Sequence, residues 1–287
     1  MLGQSLISGL LIGGIYGLVA VGLTLIFGVL EIVNFAHGTL MTVGMYITFW
    51  MFELYGIDPY LSLIIGIPLL FALGALVQRI IIRPLMDAPM HNHLLMTLGL
   101  SLFLMNLLLV LFGAEPLTLR TAYSGSRFFI GDLMVSIPRL IAFGAALGVV
   151  GALFYMMHRT FLGKAIRAAA DDREGAALSG INVKRMNLIT FGLGTACVGA
   201  AGAMVMPFLL VTPYAGETFN VLSFVVVVLG GMGSMPGALI GGIVVGLTES
   251  VSAVFLPGSS KLVGVFILFI LILLFKPEGL FGGKHVG

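Results

Sequence analysis

The sequence predicts an all-α integral membrane protein, a polytopic helical bundle of about eight to nine transmembrane elements, some of them broken or re-entrant. Three observations carry that prediction. The chain is 59% hydrophobic and 9% charged over 287 residues, with a mean hydropathy of +1.16, so it lacks the polar residues needed to cover a water-soluble globule of its size. Runs such as LLMTLGLSLFLMNLLLVLFG (94–113) reach the roughly 20 apolar residues that cross a hydrocarbon core about 30 Å thick. Those runs do not alternate apolar with polar residues, which excludes a transmembrane β-barrel.

Apolar length and punctuation place spans near 5–30, 39–55, 60–82, 94–113, 138–158, 187–211, 219–230, 237–256 and 259–275. The first has no Lys or Arg ahead of it and is expected to be a span, not a cleaved signal peptide. The seventh, FNVLSFVVVVLGG, is short enough to predict a half-helix or re-entrant element. Small residues recur every four positions at Ser5, Gly9, Gly13 and Gly17, and again in the pairs Gly237/Gly241 and Gly242/Gly246. Such ladders let helix backbones approach closely where lipid supplies no hydrophobic drive between them. The segments 9–18 and 237–247 also share G-x-L-I-G-G-I, a candidate internal repeat.

Orientation follows from the basic residues. Arg159, Lys164, Arg167, Arg173, Lys184 and Arg185 form the densest cluster in the chain, which places that loop in the cytoplasm. Alternation then puts the N-terminus and the 114–137 loop outside, where Arg120, Arg127 and Arg139 are partly offset by Glu115 and Asp132. It also puts EIVNFAHG (31–38) at the inner end of the first two spans, and the tail with Lys276 and Lys284 inside if the seventh element crosses fully. The net charge of +2 with no soluble basic patch gives no basis for a nucleic-acid partner. One cysteine, Cys197, permits neither an internal disulfide nor a cysteine metal site.

The chain carries no phosphate-binding loop: Gly163-Lys164 and Gly283-Lys284 are followed by Ala and His and lack the upstream glycine. No Ser/His/Asp grouping or wet carboxylate pair is present either, so the expectation is a transport protein and not an enzyme, with no metal site and no cofactor of its own. Glu249, inside the eighth span, costs about 2.5–3.5 kcal/mol at the bilayer centre on insertion scales. It therefore predicts either a pathway position or a hydrogen-bonded contact, with Thr248, Ser250, Ser252 or another helix as partner. Asn34 and His37 flank the break after the first span, where unwound backbone serves either as a simple turn or as a gate. Thr24, Thr97, Ser101 and Asn106 are further polar candidates within the spans.

In the basic loop, EGAALSG (174–180) fits Glu-x-Ala-x-x-x-Gly, with Gly175 at a position where Ala is common. This pattern resembles the coupling motif of ABC import permeases, the short helix that docks in a cleft of the ATPase subunit. Four blocks extend the resemblance along the chain: GLTLIFGVLEIVNFAHGTLMTVGMY (22–46), GKAIRAAADDREGAALSGINVKR (163–185), VVLGGMGSMPGALIGG (227–242) and FKPEGLFG (275–282). Together they are similar to permeases of branched-chain amino acid ABC importers, in particular the shorter of the two usually paired.

The resemblance implies a single transmembrane domain over residues 1–287 with a coupling helix in the 159–186 loop. It implies a second homologous permease subunit, two cytoplasmic ATPase subunits carrying ATP and Mg, and a periplasmic or lipid-tethered substrate-binding protein. It puts Glu174, Ala176, Ala177 and Gly180 at the ATPase contact, and the chain in a bacterial cytoplasmic (inner) membrane. Because the family also includes permeases for urea, short amides and other small solutes, the cargo stays open at this stage. A channel or facilitator working without ATP is the alternative from a different class.

Overall fold

The computed structural model describes residues 2–86, 88–131, 133–256 and 258–282, and each of the nine expected apolar stretches corresponds to a helix. In order these are α1 (Leu2–Leu30), α2 (His37–Tyr55), α3 (Leu63–Val77), α4 (Met90–Phe112) and α5 (Ile137–Arg159). After two short helices come α8 (Val183–Val205), α9 (Ala215–Gly230), α10 (Met235–Phe255) and α11 (Lys261–Phe275). Six are long and apolar enough to cross a membrane: α1, α3 with its extension to Leu85, α4, α5, α8 and α10. Helices α9 and α11 hold 16 and 15 residues, about 22–24 Å of helix, less than the full hydrocarbon thickness. Lys284 lies outside the described residues.

Helix α1 is apolar on every side and is accordingly the centre of the bundle, packed against α5, α8, α9 and α10. Its glycine ladder meets that of α10 head to tail. A Cβ on Gly9 would lie 2.7 Å from Gly246 O, one on Gly13 2.8 Å from Ile243 Cα, and one on Gly17 2.9 Å from Leu239 Cδ1. The two segments with the shared G-x-L-I-G-G-I pattern thus form one antiparallel seam. Helix α8 approaches α1 in the same way at Gly22 and Gly194, and α2 at Gly44 and Gly199. Ile64, Val110 and Leu111 on α3 and α4 instead remain exposed, the apolar surface that a bilayer covers.

The break after α1 corrects the expected inner-side turn. Glu31 takes a left-handed φ of 59°, alone among the described non-glycine residues. The chain then runs back along α1 until His37 Nε2 donates to Val19 O at 2.9 Å. Val19 lies about 16 Å up the helix axis from Leu30 at 1.5 Å per residue, so α2 starts halfway along α1 and not beside its end. The exposed backbone of this return is satisfied from elsewhere: Thr97 Oγ1 donates to Val33 O, Asn220 Nδ2 to Phe35 O, and Gly38 N to Asn220 Oδ1.

Two further differences concern the loops. The 159–186 loop, where one coupling helix is expected, holds two, α6 (Phe161–Asp171) and α7 (Arg173–Leu178). Asp172 divides them because its carboxylate accepts the N–H groups of Glu174 and Gly175, both at 3.0 Å, and so caps α7. Gly180, with φ 82°, ends the element in the left-handed conformation expected of it. At the opposite end, the 114–137 loop holds a β-hairpin, β1 (Arg127–Ile130) against β2 (Leu133–Ser136), that nothing in the hydropathy pattern announced. Gln4 holds it to α1 through two hydrogen bonds with Met134. Beside it, Tyr123 donates to Asp58 Oδ2 at 2.6 Å and Tyr60 to Pro138 O at 2.6 Å. Burial, with the nearby Asp58 carboxylate, pushes both phenols well above their ordinary value of 10.0.

Candidate transport pathway

Two cavities open along the α1–α10 seam, one toward each end of the bundle. The larger, about 670 Å³, lies toward the hairpin end and is lined by Ser8, Ile12 and Tyr16 of α1 and by Glu249 and Ser250 of α10. Because Ser8, Ile12 and Tyr16 are spaced by four, they share one face of the helix. Arg139 of α5, Phe219 of α9 and Lys261 of α11 complete the wall with the 206–214 linker. The smaller cavity, about 310 Å³, lies at the basic-loop end between Thr24 and Gly28 of α1, Arg167 and Asp171 of α6, and the Gly233–Pro236 turn. Thr24 lies eight positions beyond Tyr16, about 12 Å of helix. Gly17 is closed there against Leu239.

Glu249 is buried and fully engaged. Tyr16 OH donates to Oε2 at 2.6 Å, and Lys261 Nζ stands 2.6 Å from Oε1. Of the neighbours expected as partners, Thr248 turns its hydroxyl to Val244 O instead, so the contact comes from α1 and α11. A carboxylate with both oxygens held by a phenol and an ammonium is the form in which a charge persists at this depth.

Thr24 lines the basic-end cavity, and its hydroxyl has no protein partner. Asn34 and His37 are both fully buried and line neither cavity. Their bonds belong to the break: Asn34 Oδ1 accepts from Ala36 N and the His37 ring holds Val19 O. Thr97 and Ser101 likewise tie helices together, Thr97 to Val33 and Ser101 to Thr39 at 2.6 Å, whereas Asn106 bonds within its own helix.

In the basic loop, Glu174, Ala177 and Gly180 face outward, and Ala176 is turned into the protein. Leu178, 90% exposed, takes its place on the outer face. The Arg173 guanidinium reaches Leu30 O at 3.3 Å and lies 3.9 Å from the Glu31 carboxylate. It thereby joins α7 to the point where α1 breaks.

Sequence reasoning missed Tyr16, Arg139 and Lys261 as residues of the cavity that holds Glu249. Lys261 begins an apolar helix and passes for an interfacial anchor, and Arg139 counts only as an awkward outer charge. The available signal was that a lone intramembrane carboxylate requires a cation or phenol within reach.

A bundle of apolar helices with a cavity toward each end and a structured basic loop at one end is a polytopic membrane protein. The comparisons then specify which: over residues 5–275 the chain matches the model of the branched-chain amino acid transport system / permease component family, and it belongs to that family. It is 32% identical to the high-affinity branched-chain amino acid transport system permease protein LivH of Escherichia coli (strain K12), over 99% of this chain and 96% of that protein. The corresponding protein BraD of Pseudomonas aeruginosa is 30% identical, over 99% of this chain and 96% of its own length. A probable branched-chain amino acid transport permease protein LivH of Methanocaldococcus jannaschii is 30% identical, with 92% and 88% covered. No solved structure matches the chain significantly.

Proposed function

We propose that the chain is a permease subunit of an ATP-binding-cassette importer, moving branched-chain, apolar amino acids across a bacterial cytoplasmic membrane by alternating access. The observation that carries this reading is the pair of cavities at opposite ends of the α1–α10 seam, closed from each other where Gly17 meets Leu239. A channel needs one continuous passage, whereas a pump needs two half-passages that are never open together. The names of the relatives support amino acids as the cargo.

The hairpin-end cavity then faces the outside, where a substrate-binding protein delivers solute, and the basic-end cavity faces the cytoplasm. Glu249 lies in the outer half-passage and Thr24 in the inner one. Asn34 and His37 hold the re-entrant break that sets where α2 begins, and their part in gating is to keep α2 in register with Val19. Glu174, Ala177, Leu178 and Gly180 form the face that docks on an ATPase subunit, with Ala176 anchoring α7 from behind. ATP and Mg bind on two such ATPase subunits, and a second homologous permease completes the membrane unit.

The test is reconstitution of the chain with these partners in proteoliposomes. Leucine uptake that requires ATP inside and the binding protein outside is the expected result. Vesicles holding the permease chains alone that pass leucine down its gradient at the full rate would overturn alternating access. In the full complex, Glu249→Gln is expected to depress uptake with assembly intact.

A further inference from the structure

Among the described residues, Arg139 is the one charged group lining the larger cavity that has no ion-pair partner. Glu249 and Lys261 neutralise each other there, 2.6 Å apart. Arg139 forms no ion pair and no hydrogen bond among the described residues. Its guanidinium instead lies 5.6 Å over the Phe208 ring, a cation–π contact that engages none of its N–H donors in a hydrogen bond. It is the third residue of α5, where the unpaired N–H groups of the first turn add to the positive potential.

The position is that of a gatepost. Arg139, Ser8 and Phe208 line both the 670 Å³ cavity and a neighbouring one of about 280 Å³ beneath the hairpin, where Arg127 adds a second cation. A solute passing from the hairpin toward Tyr16 moves past the Arg139 guanidinium. Beyond it Ile12, Leu209, Phe219 and Ala253 give the wall an apolar part, beside Tyr16 and the mutually neutralised Glu249 and Lys261. An uncompensated cation near an apolar stretch of wall fits a solute with a carboxylate at one end and a hydrocarbon group at the other. Urea and short amides, lacking an anion, leave the guanidinium unpaired.

We propose that Arg139 is the carboxylate anchor of the outer half-passage, the residue through which this permease selects carboxylate-bearing apolar solutes over neutral amides. The proposal rests on the importer reading above. Arginine suits the role because its planar fork pairs both carboxylate oxygens at once, while lysine offers only a point charge.

Two measurements on the purified permease–ATPase complex test it. In the first, phenylglyoxal modification of Arg139 is followed by peptide mass spectrometry with leucine, leucinamide or urea present. Leucine is expected to slow the modification severalfold, leucinamide and urea not at all. Equal protection by leucine and leucinamide, or none by either, overturns the anchor.

In the second, leucine uptake by the complete transporter is compared for Arg139→Gln and Arg139→Lys at matched expression and matched unstimulated ATPase activity. Loss of a charge-assisted pair predicts a fall of about tenfold to a hundredfold for Arg139→Gln at low leucine, partly restored in Arg139→Lys. Uptake by Arg139→Gln within about twofold of the unsubstituted complex, well short of that range, overturns the proposal. Should Arg139→Gln not assemble, Arg139→Lys and the labelling arm still decide. An unsubstituted transporter that carries urea or amides and not leucine overturns the amino-acid cargo of the reading above. Normal leucine uptake by Arg139→Gln overturns only the anchor.

Discussion

Lys261 Nζ lies 2.6 Å from Glu249 Oε1, joining the start of α11 to a buried carboxylate on α10 that Tyr16 of α1 also holds. Three helices therefore share one charge. Removing a single partner of a buried pair leaves the other uncompensated and costs about 3–5 kcal/mol, but Lys261 is 42% exposed, which lowers the expected cost of Lys261→Met to about 1–2 kcal/mol. Glu249→Gln combined with Lys261→Met is expected to be milder than the sum of the two. Thermal unfolding of the three variants and the unsubstituted protein in detergent reads the coupling, and strict additivity would show that the pair contributes nothing to holding α11 in place.

The α1–α10 seam predicts a contrast between glycines. A Cβ on Gly13 meets the Ile243 backbone at 2.8 Å, which no side-chain movement relieves, whereas one on Gly148 of α5 meets nothing within 4 Å. Gly13→Val is expected to destabilise by at least about 1–3 kcal/mol and to reduce the folded yield. Gly148→Val should stay within about 0.5 kcal/mol of the unsubstituted protein. Detergent-resistant fractions after heating compare the two directly. Equal behaviour would mean that the seam tolerates separation.

The Tyr60–Asp58–Tyr123 clasp near the hairpin carries a pH dependence with a definite sign. Both phenols are pushed above the ordinary value by burial and by Asp58, so between about pH 10 and their folded values the unfolded loop has lost protons that the folded loop keeps. Stability from the clasp is complete below about pH 10 and falls as the pH rises beyond it. Protease cleavage in the 113–126 loop should accelerate above about pH 10 and should do so less steeply in Tyr60→Phe/Tyr123→Phe.

The hydropathy of the chain makes the bundle legible, because apolar length alone marks where a helix can shelter its backbone from lipid. The glycine ladders were legible for the same reason, and Gly9, Gly13 and Gly17 meet α10 as their spacing predicts. The path of the EIVNFAHG segment was not: the sequence shows a break, but only Val19, Thr97 and Asn220, supplied from three other helices, turn it back into the bundle. Glu249 announced itself by its cost, whereas Tyr16, 233 positions away, looked like one more aromatic in an apolar run. The hairpin escaped notice because four-residue strands in a loop leave no periodic trace.

Arg173 reaches Leu30 O and Glu31, so a push on the outer face of α7 arrives where α1 breaks and the return to α2 begins. Exposed ion pairs contribute only about 0–1 kcal/mol, so Arg173→Ala should leave stability almost unchanged while lowering the amount of leucine carried per ATP hydrolysed. Asp172→Ala removes the cap of a six-residue helix, at a cost of about 1 kcal/mol, and should lower the same ratio by fraying α7. Leu178→Asp, at the exposed tip, should act earlier and reduce recovery of the ATPase subunits with the permease. Measuring transport and hydrolysis together separates the three. If Arg173→Ala lowered both rates in proportion, the Arg173 contact would serve docking and not transmission.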